Sequence, residues 1–152
     1  MRPLLLLGHY LGFVLWLGAG IVAMQIGFVI RGAAREEVVL LTGLMARIYR
    51  AILLPGAVLT VLTGIVLTLW QYGGAVSAAG YSVALMVMQG AGLLGAAIAL
   101  GVSFPSVTRA ARLDPTGPHR EAFQRLRGRA AISGMAMGLL ALASLIAGAM
   151  LP

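Results

Sequence analysis

Four long stretches of the chain carry no Arg, Asp, Glu or Lys: Leu4 to Ile30, Ala51 to Trp70, Tyr81 to Ser103 and Ala130 to Leu151. A helix needs about 20 mainly apolar residues to cross about 30 Å of hydrocarbon, and each stretch reaches that length. One Arg at a helix centre raises the cost of insertion by about 2.5–3.5 kcal/mol, so four charge-free windows predict four membrane spans. The first run follows Met1-Arg2, the position of a signal peptide. It exceeds the h-region length of about 7–15 residues and lacks an A-x-A site, so a retained span is expected.

The polar positions between these runs set the orientation. The connection from Arg31 to Arg50 holds Arg31, Arg35, Arg47 and Arg50 against Glu36 and Glu37. The connection from Phe104 to Arg129 holds Arg109, Arg112, Arg120, Arg125, Arg127 and Arg129 against Asp114 and Glu121. The middle connection, Gln71 to Gly80, holds no charge. The positive-inside rule places the arginine-bearing connections in the cytoplasm and both termini outside. The expectation is an all-α protein of the bacterial inner membrane, a single four-helix transmembrane domain over residues 1–152, N-out and C-out.

Composition agrees. The chain is 61% hydrophobic and 10% charged, against about 45–50% and about 25% in an ordinary soluble domain. A soluble globule is excluded, and the absence of Cys excludes a disulfide scaffold. A net charge of +7 can signal nucleic-acid binding, but the placing of ten of the eleven arginines in two loops assigns them to orientation. The expected partners are the lipid bilayer and other membrane subunits or a second copy, with no nucleic acid.

Within the loops, Glu36 and Glu37 suit a helix start, where carboxylates complement the positive dipole end. Val38 to Arg50 has apolar residues at helical spacing and is expected to run into the second span, bent by Pro55. Asp114-Pro-Thr-Gly-Pro118 is a turn signal, with Pro118 suited to the first helical position. His119 to Gly128 then reads as an amphipathic, arginine-rich juxtamembrane helix. Within the spans, association depends on small and weakly polar residues. The expected packing faces are His9, Gly12, Phe13, Trp16, Gly20, Ala23 and Gly27, then Gly56, Thr60, Thr63 and Gly64. The third span offers Gln89, Gly92, Ala96, Ala99 and Ser103, and the fourth Gly134, Gly138, Ala141, Leu145 and Gly148.

His9 is the one imidazole inside a span, and an ionisable group there is a functional candidate by default. Neutral imidazole ligates b-type haem, and Trp16, two turns along the same face, could wall an apolar cofactor. With one such His per chain, haem would need five-coordinate iron, another second ligand or a symmetric dimer. The alternative is a His9 that snorkels to the interface, bonded to backbone or water. Arg47 and Arg50, beside Tyr49, form a basic patch for lipid phosphates, haem propionates or an acidic partner, or serve orientation alone. Met86/Met88 and Met135/Met137 raise copper, since thioethers suit Cu(I), yet residues two apart on a helix point about 200° from one another. Flexible packing is the other use of Met. His119 is expected in solvent. The spans contain no carboxylate, and no phosphate loop or Ser-His-Asp set is present, so nothing points to a conventional enzyme or pump.

Three segments carry a family resemblance: Gly8-His-Tyr-Leu-Gly-Phe-Val-Leu-Trp-Leu-Gly-Ala-Gly20, Arg50-Ala-Ile-Leu-Leu-Pro-Gly56 running to Leu62-Thr-Gly-Ile-Val-Leu67, and Phe104-Pro-Ser-Val-Thr-Arg-Ala-Ala-Arg112. Together they resemble a bacterial group that includes an uncharacterised integral-membrane family, CopD-like copper-resistance proteins and HemJ-type protoporphyrinogen oxidases. The resemblance implies a four-helix membrane fold. It also implies that His9 is the group's helix-one histidine, tied to haem chemistry in HemJ-like members, with Trp16 and Gly20 as its packing partners. The function expected first is binding of a haem-like cofactor, haem b, through His9 as metal ligand. A non-catalytic subunit or assembly factor is the alternative, and a copper-handling protein the third.

Overall fold

The computed structural model describes residues 1–72 and 82–150, and among these there is no strand. The uncharged connection expected at Gln71 to Gly80 lies almost wholly outside the described residues. Four helices dominate: Arg2–Gly32, Arg35–Gln71, Val83–Ala110 and Arg120–Ala149. The shortest has 28 residues, about 42 Å at 1.5 Å per residue, against about 30 Å of hydrocarbon. All four are long and apolar enough to span a bilayer, and the molecule is a multi-pass membrane protein by that criterion.

The helices outrun the charge-free windows. Val38 to Arg50 does join the second span, but the joined helix starts at Arg35. Its first turn holds Glu36 and Glu37, and the Glu37 carboxylate accepts from the Ala34 N–H at 3.0 Å. This is the back-reaching half of a capping box; Ala34 has no side-chain acceptor for the other half. The third helix continues through Pro105 to Ala110. Residues 120–128 form the opening turns of the fourth helix rather than a separate segment, with His119 as its N-cap. Pro118 therefore precedes the helix instead of occupying its first position. Arg and Glu are good helix formers, so nothing in these residues stops a helix that is already running.

Both inner helices contain one widened turn, Tyr49–Leu53 in the second and Ala99–Ser103 in the third. The Leu54 N–H reaches back five residues to the Tyr49 carbonyl, and the Phe104 N–H does the same to Ala99. Pro55 and Pro105 come next in each case. A proline lacks the N–H and its ring presses on the carbonyl four residues back, and an added residue in the turn makes room. The bend expected at Pro55 is thus a π turn just before it.

The first helix packs chiefly on the second and the third on the fourth, and the two pairs then meet. The first pair closes through glycine. A Cβ on Gly12 would lie 2.7 Å from Thr60 Oγ1 and 2.8 Å from Thr60 N. A Cβ on Gly56 would lie 2.8 Å from both Gly12 O and Trp16 N. The main chains touch, so no other residue fits without parting them. The second pair is tied by Ser103, whose hydroxyl donates to Ser133 at 2.7 Å, and by Ser144, which donates to the Met88 carbonyl at 3.1 Å. Gly134 and Gly138, expected on the packing face, have nothing within 4 Å of a Cβ position. Ala141 is buried as expected and a Cβ on Gly148 would lie 3.3 Å from Met88 Sδ, while Ala130, Ser133, Met137 and Ala147 are buried as well and Leu145 is exposed.

Arg35 and Asp114 form an ion pair, which puts both arginine-bearing connections at one end of the molecule. The buried cluster is concentrated in that half: Ile26, Ile30, Tyr49, Leu53, Val107 and Phe123 draw on all four helices.

Candidate functional site: an apolar cavity with a few polar groups

In the half away from the arginine-bearing connections the helices do not close. A cavity of about 250 Å3 remains, lined by residues of all four, among them His9, Trp16, Thr60, Thr68, Gln89 and Ser144. Gly64 admits the imidazole: a Cβ there would stand 3.1 Å from His9 Cε1. His9 Nδ1 lies 2.9 Å from the Thr60 carbonyl oxygen and 3.2 Å from Thr63 Oγ1. A carbonyl only accepts, so Nδ1 carries the hydrogen and donates it. The neutral ring then has its lone pair on Nε2, which has no hydrogen-bond partner among the described residues. His9 is half-buried and bonded to the main chain of the second helix.

The other polar groups follow from the spacing of the second helix. Thr60, Gly64 and Thr68 recur every four residues, hence on one face. Thr60 donates to the Gly56 carbonyl at 2.8 Å and Thr68 to the Gly64 carbonyl at 2.9 Å. The Thr68 hydroxyl oxygen accepts from Gln89 Nε2 at 2.7 Å, a bond from the third helix to the second. Trp16 is 4% exposed and forms part of the apolar wall. Its ring edge comes within 3.1 Å of a Cβ position on Gly95, which brings it against the third helix.

The sequence-predicted site residues separate into two groups. His9 and Trp16 share the cavity. Gly20 does not line it, and nothing lies within 4 Å of its Cβ position. Arg47 and Arg50 are exposed at the arginine end, ten or more residues from Thr60 and so about 15–20 Å away along the helix. They cannot act on a group held by His9. The Met pairs diverge as their spacing requires: Met86 and Met135 are exposed, Met137 is buried and Met88 lines the cavity. Among the described residues no group of three or more His, Cys, Asp or Glu could hold a metal. Thr68 and Ser144 did not stand out in the sequence; the four-residue Thr60-Gly64-Thr68 step was the signal for the first, and Ser144 had none.

A free imidazole nitrogen has the donor chemistry for haem, but the space does not suit it. Pockets for drug-sized ligands measure about 300–1,000 Å3, a porphyrin is larger than such ligands, and this cavity is smaller than that range. A haem held by His9 would extend beyond this cavity. No family model matches the chain, and no curated protein or solved structure is significantly similar to it.

Proposed function

We propose that this is a protein of the bacterial inner membrane that binds a small, mostly apolar molecule bearing a hydroxyl group, with His9 as the residue that receives it. One observation carries the reading. His9 Nδ1 is committed to the Thr60 carbonyl, so Nε2 is a lone hydrogen-bond acceptor beside an apolar cavity, and a hydroxyl is its complement. Trp16 and Phe13 supply aromatic wall to the same space. The arginine end faces the cytoplasm and both termini face outward, on the charge asymmetry of the connections. A Cys placed at Ser77 then reacts with an impermeant thiol reagent from outside only.

The binding test uses 4-bromophenol, whose bromine quenches tryptophan. The protein has two tryptophans, Trp16 and Trp70, so Trp70→Phe leaves the cavity wall as the reporter. Saturable quenching is expected, stronger for 4-bromophenol than for bromobenzene by roughly 3–10-fold, the worth of one hydrogen bond. His9→Leu should erase that difference. Quenching that never saturates, or a preference that survives His9→Leu, overturns the reading. A Soret band in the purified protein, lost in His9→Ala, would replace it with haem binding.

A second reading, a non-catalytic subunit of a membrane complex or a homodimer, draws on Gly134 and Gly138, which lie open on the fourth helix. Small residues on a lipid-facing stripe let a neighbouring helix approach closely. Co-purification of a partner at fixed stoichiometry, abolished by Gly134→Leu, would support it; a stable lone monomer would not.

A further inference from the structure

Resting on that ligand site, we infer that the ligand is an uncharged, membrane-dissolved molecule that reaches His9 sideways from the hydrocarbon, through the seam between the second and third helices, and that Gln89 latches this seam. Three observations converge.

The first is where the cavity wall thins. Ile65, Leu69 and Leu93 all line the cavity, yet they are 46%, 57% and 52% exposed. A residue that borders both the cavity and the outside marks an opening. Two of these lie on the second helix and one on the third. The first and second helices, by contrast, are sealed by Gly12 and Gly56, and the Ser144 bond closes the third on the fourth.

The second is what crosses that opening. The Gln89–Thr68 bond, 2.7 Å long, is the one side-chain hydrogen bond between the second and third helices among the described residues. The two helices are neighbouring spans of one chain and run antiparallel. With Thr68 opposite Gln89, Ile65 and Leu93 lie at about the same depth, some one turn further toward the arginine end. Release of one amide would let the two helices part there.

The third is the chemistry on either side. No Arg, Asp or Glu lines the cavity, so nothing there compensates a charged ligand. Outside the seam is a surface of Ile and Leu in charge-free helix, where the solvent is lipid tail. A molecule able to dissolve in the tails arrives already desolvated, and its hydroxyl finds at Nε2 the acceptor that the tails lack. The class implied is a narrow lipid-soluble alcohol or phenol.

The test staples the seam. The chain has no cysteine, so Ile65→Cys with Leu93→Cys, made in Trp70→Phe, is a unique pair for a short reducible cross-linker, with closure read by mass. The protein sits in phosphatidylcholine–phosphatidylglycerol vesicles and 4-bromophenol is mixed in rapidly. Stapling should slow Trp16 quenching at least tenfold relative to the same double-Cys protein kept reduced, and reductant should restore the rate. Ile65→Phe with Leu93→Phe should slow it in the same way without a cross-linker. Gln89→Leu should speed both onset and release, several-fold each, with the affinity changed less than the rates. Unaltered rates in the stapled and Phe-filled proteins overturn the side route while leaving the ligand site standing. Absence of saturable quenching in the unstapled protein removes the ligand site itself.

Discussion

The two halves of the bundle are built from the same kind of helix and end up opposite in character. Toward the arginines, Leu53, Ala57, Ala99, Ser103 and Val107 are at most 1% exposed, and both π turns bring residues into this sealed region. Toward the other end, four helices stand around a space that hydroxyl, amide and imidazole groups line. Lipid tails are as apolar as Leu, so burying Leu does little to draw membrane helices together. Small residues and short polar bonds decide where they close. The solid half has alanine, serine and widened turns at its centre. The hollow half has its glycines at one edge and its polar groups aimed inward. Helices that could have closed there with Ala and Leu instead keep a lined space.

The contrast breaks most sharply at the hinge of the first pair. Gly12→Leu or Gly56→Leu puts a side chain where backbone atoms stand under 3 Å away. Overpacking typically costs about 1–3 kcal/mol, and here neither partner can yield, so the loss belongs at or above the top of that range. Gly20→Ala and Gly134→Ala meet nothing within 4 Å and should fall within about 0.5 kcal/mol of the parent. Unfolding by denaturing detergent, followed by circular dichroism, ranks the four. If Gly12 and Gly20 tolerate substitution equally, main-chain contact is not what holds the first pair.

How much of this was legible beforehand follows the same division. Four spans, the helical Val38–Arg50 segment and the small-residue faces that hold Gly12 and Gly56 all rest on local periodicity; that these two glycines meet does not. The charge-free windows fell short of the helix ends because charge marks the bilayer boundary, whereas a helix stops only where its backbone bonding fails. Gly134 and Gly138 misled because small spacing looks alike whether a helix or lipid lies against it. His9 and Trp16 were found as chemistry. Their separation from Gly20, Arg47 and Arg50 was not visible, since it depends on how far along a neighbouring helix each residue falls.

A smaller effect should separate the halves by their polar bonds. Ser103→Ala removes the bond to Ser133 from a site with no exposure. Such bonds average about 0.6 kcal/mol inside membranes, and Ser133 keeps a weaker one to the Ala130 carbonyl at 3.2 Å. A loss of roughly 0.5–1 kcal/mol is expected, by the same detergent titration. Gln89→Leu in the hollow half should cost less, because its amide crosses a seam instead of filling a core. The reverse order would mean that the seam, not the serine pair, secures the bundle.

The smallest effect lies outside both halves, where the two arginine-bearing connections meet. Asp114 is held at about 2, against an ordinary 3.8, first by the Thr116 backbone N–H and then by the Arg35 side chain. The folded value is the lower one. The stabilisation from this carboxylate is therefore complete above about pH 4 and is lost as the pH falls toward about 2. Arg35 and Asp114 are 55% and 41% exposed, and exposed pairs contribute little, so the effect is a change of shape with pH more than of size. Thermal unfolding in a non-ionic detergent should show parent and Asp114→Asn separated by a constant small gap from neutral pH to about pH 4, closing below it. Arg35→Gln should narrow the gap and complete its closure at higher pH, because one of the groups that holds the carboxylate ionised is gone. Probe quenching at Trp16 should be the same in all three proteins at neutral pH, since the ion pair and the cavity occupy opposite ends. A cavity that responds to Asp114→Asn would show instead that the solid half transmits what happens at its connections.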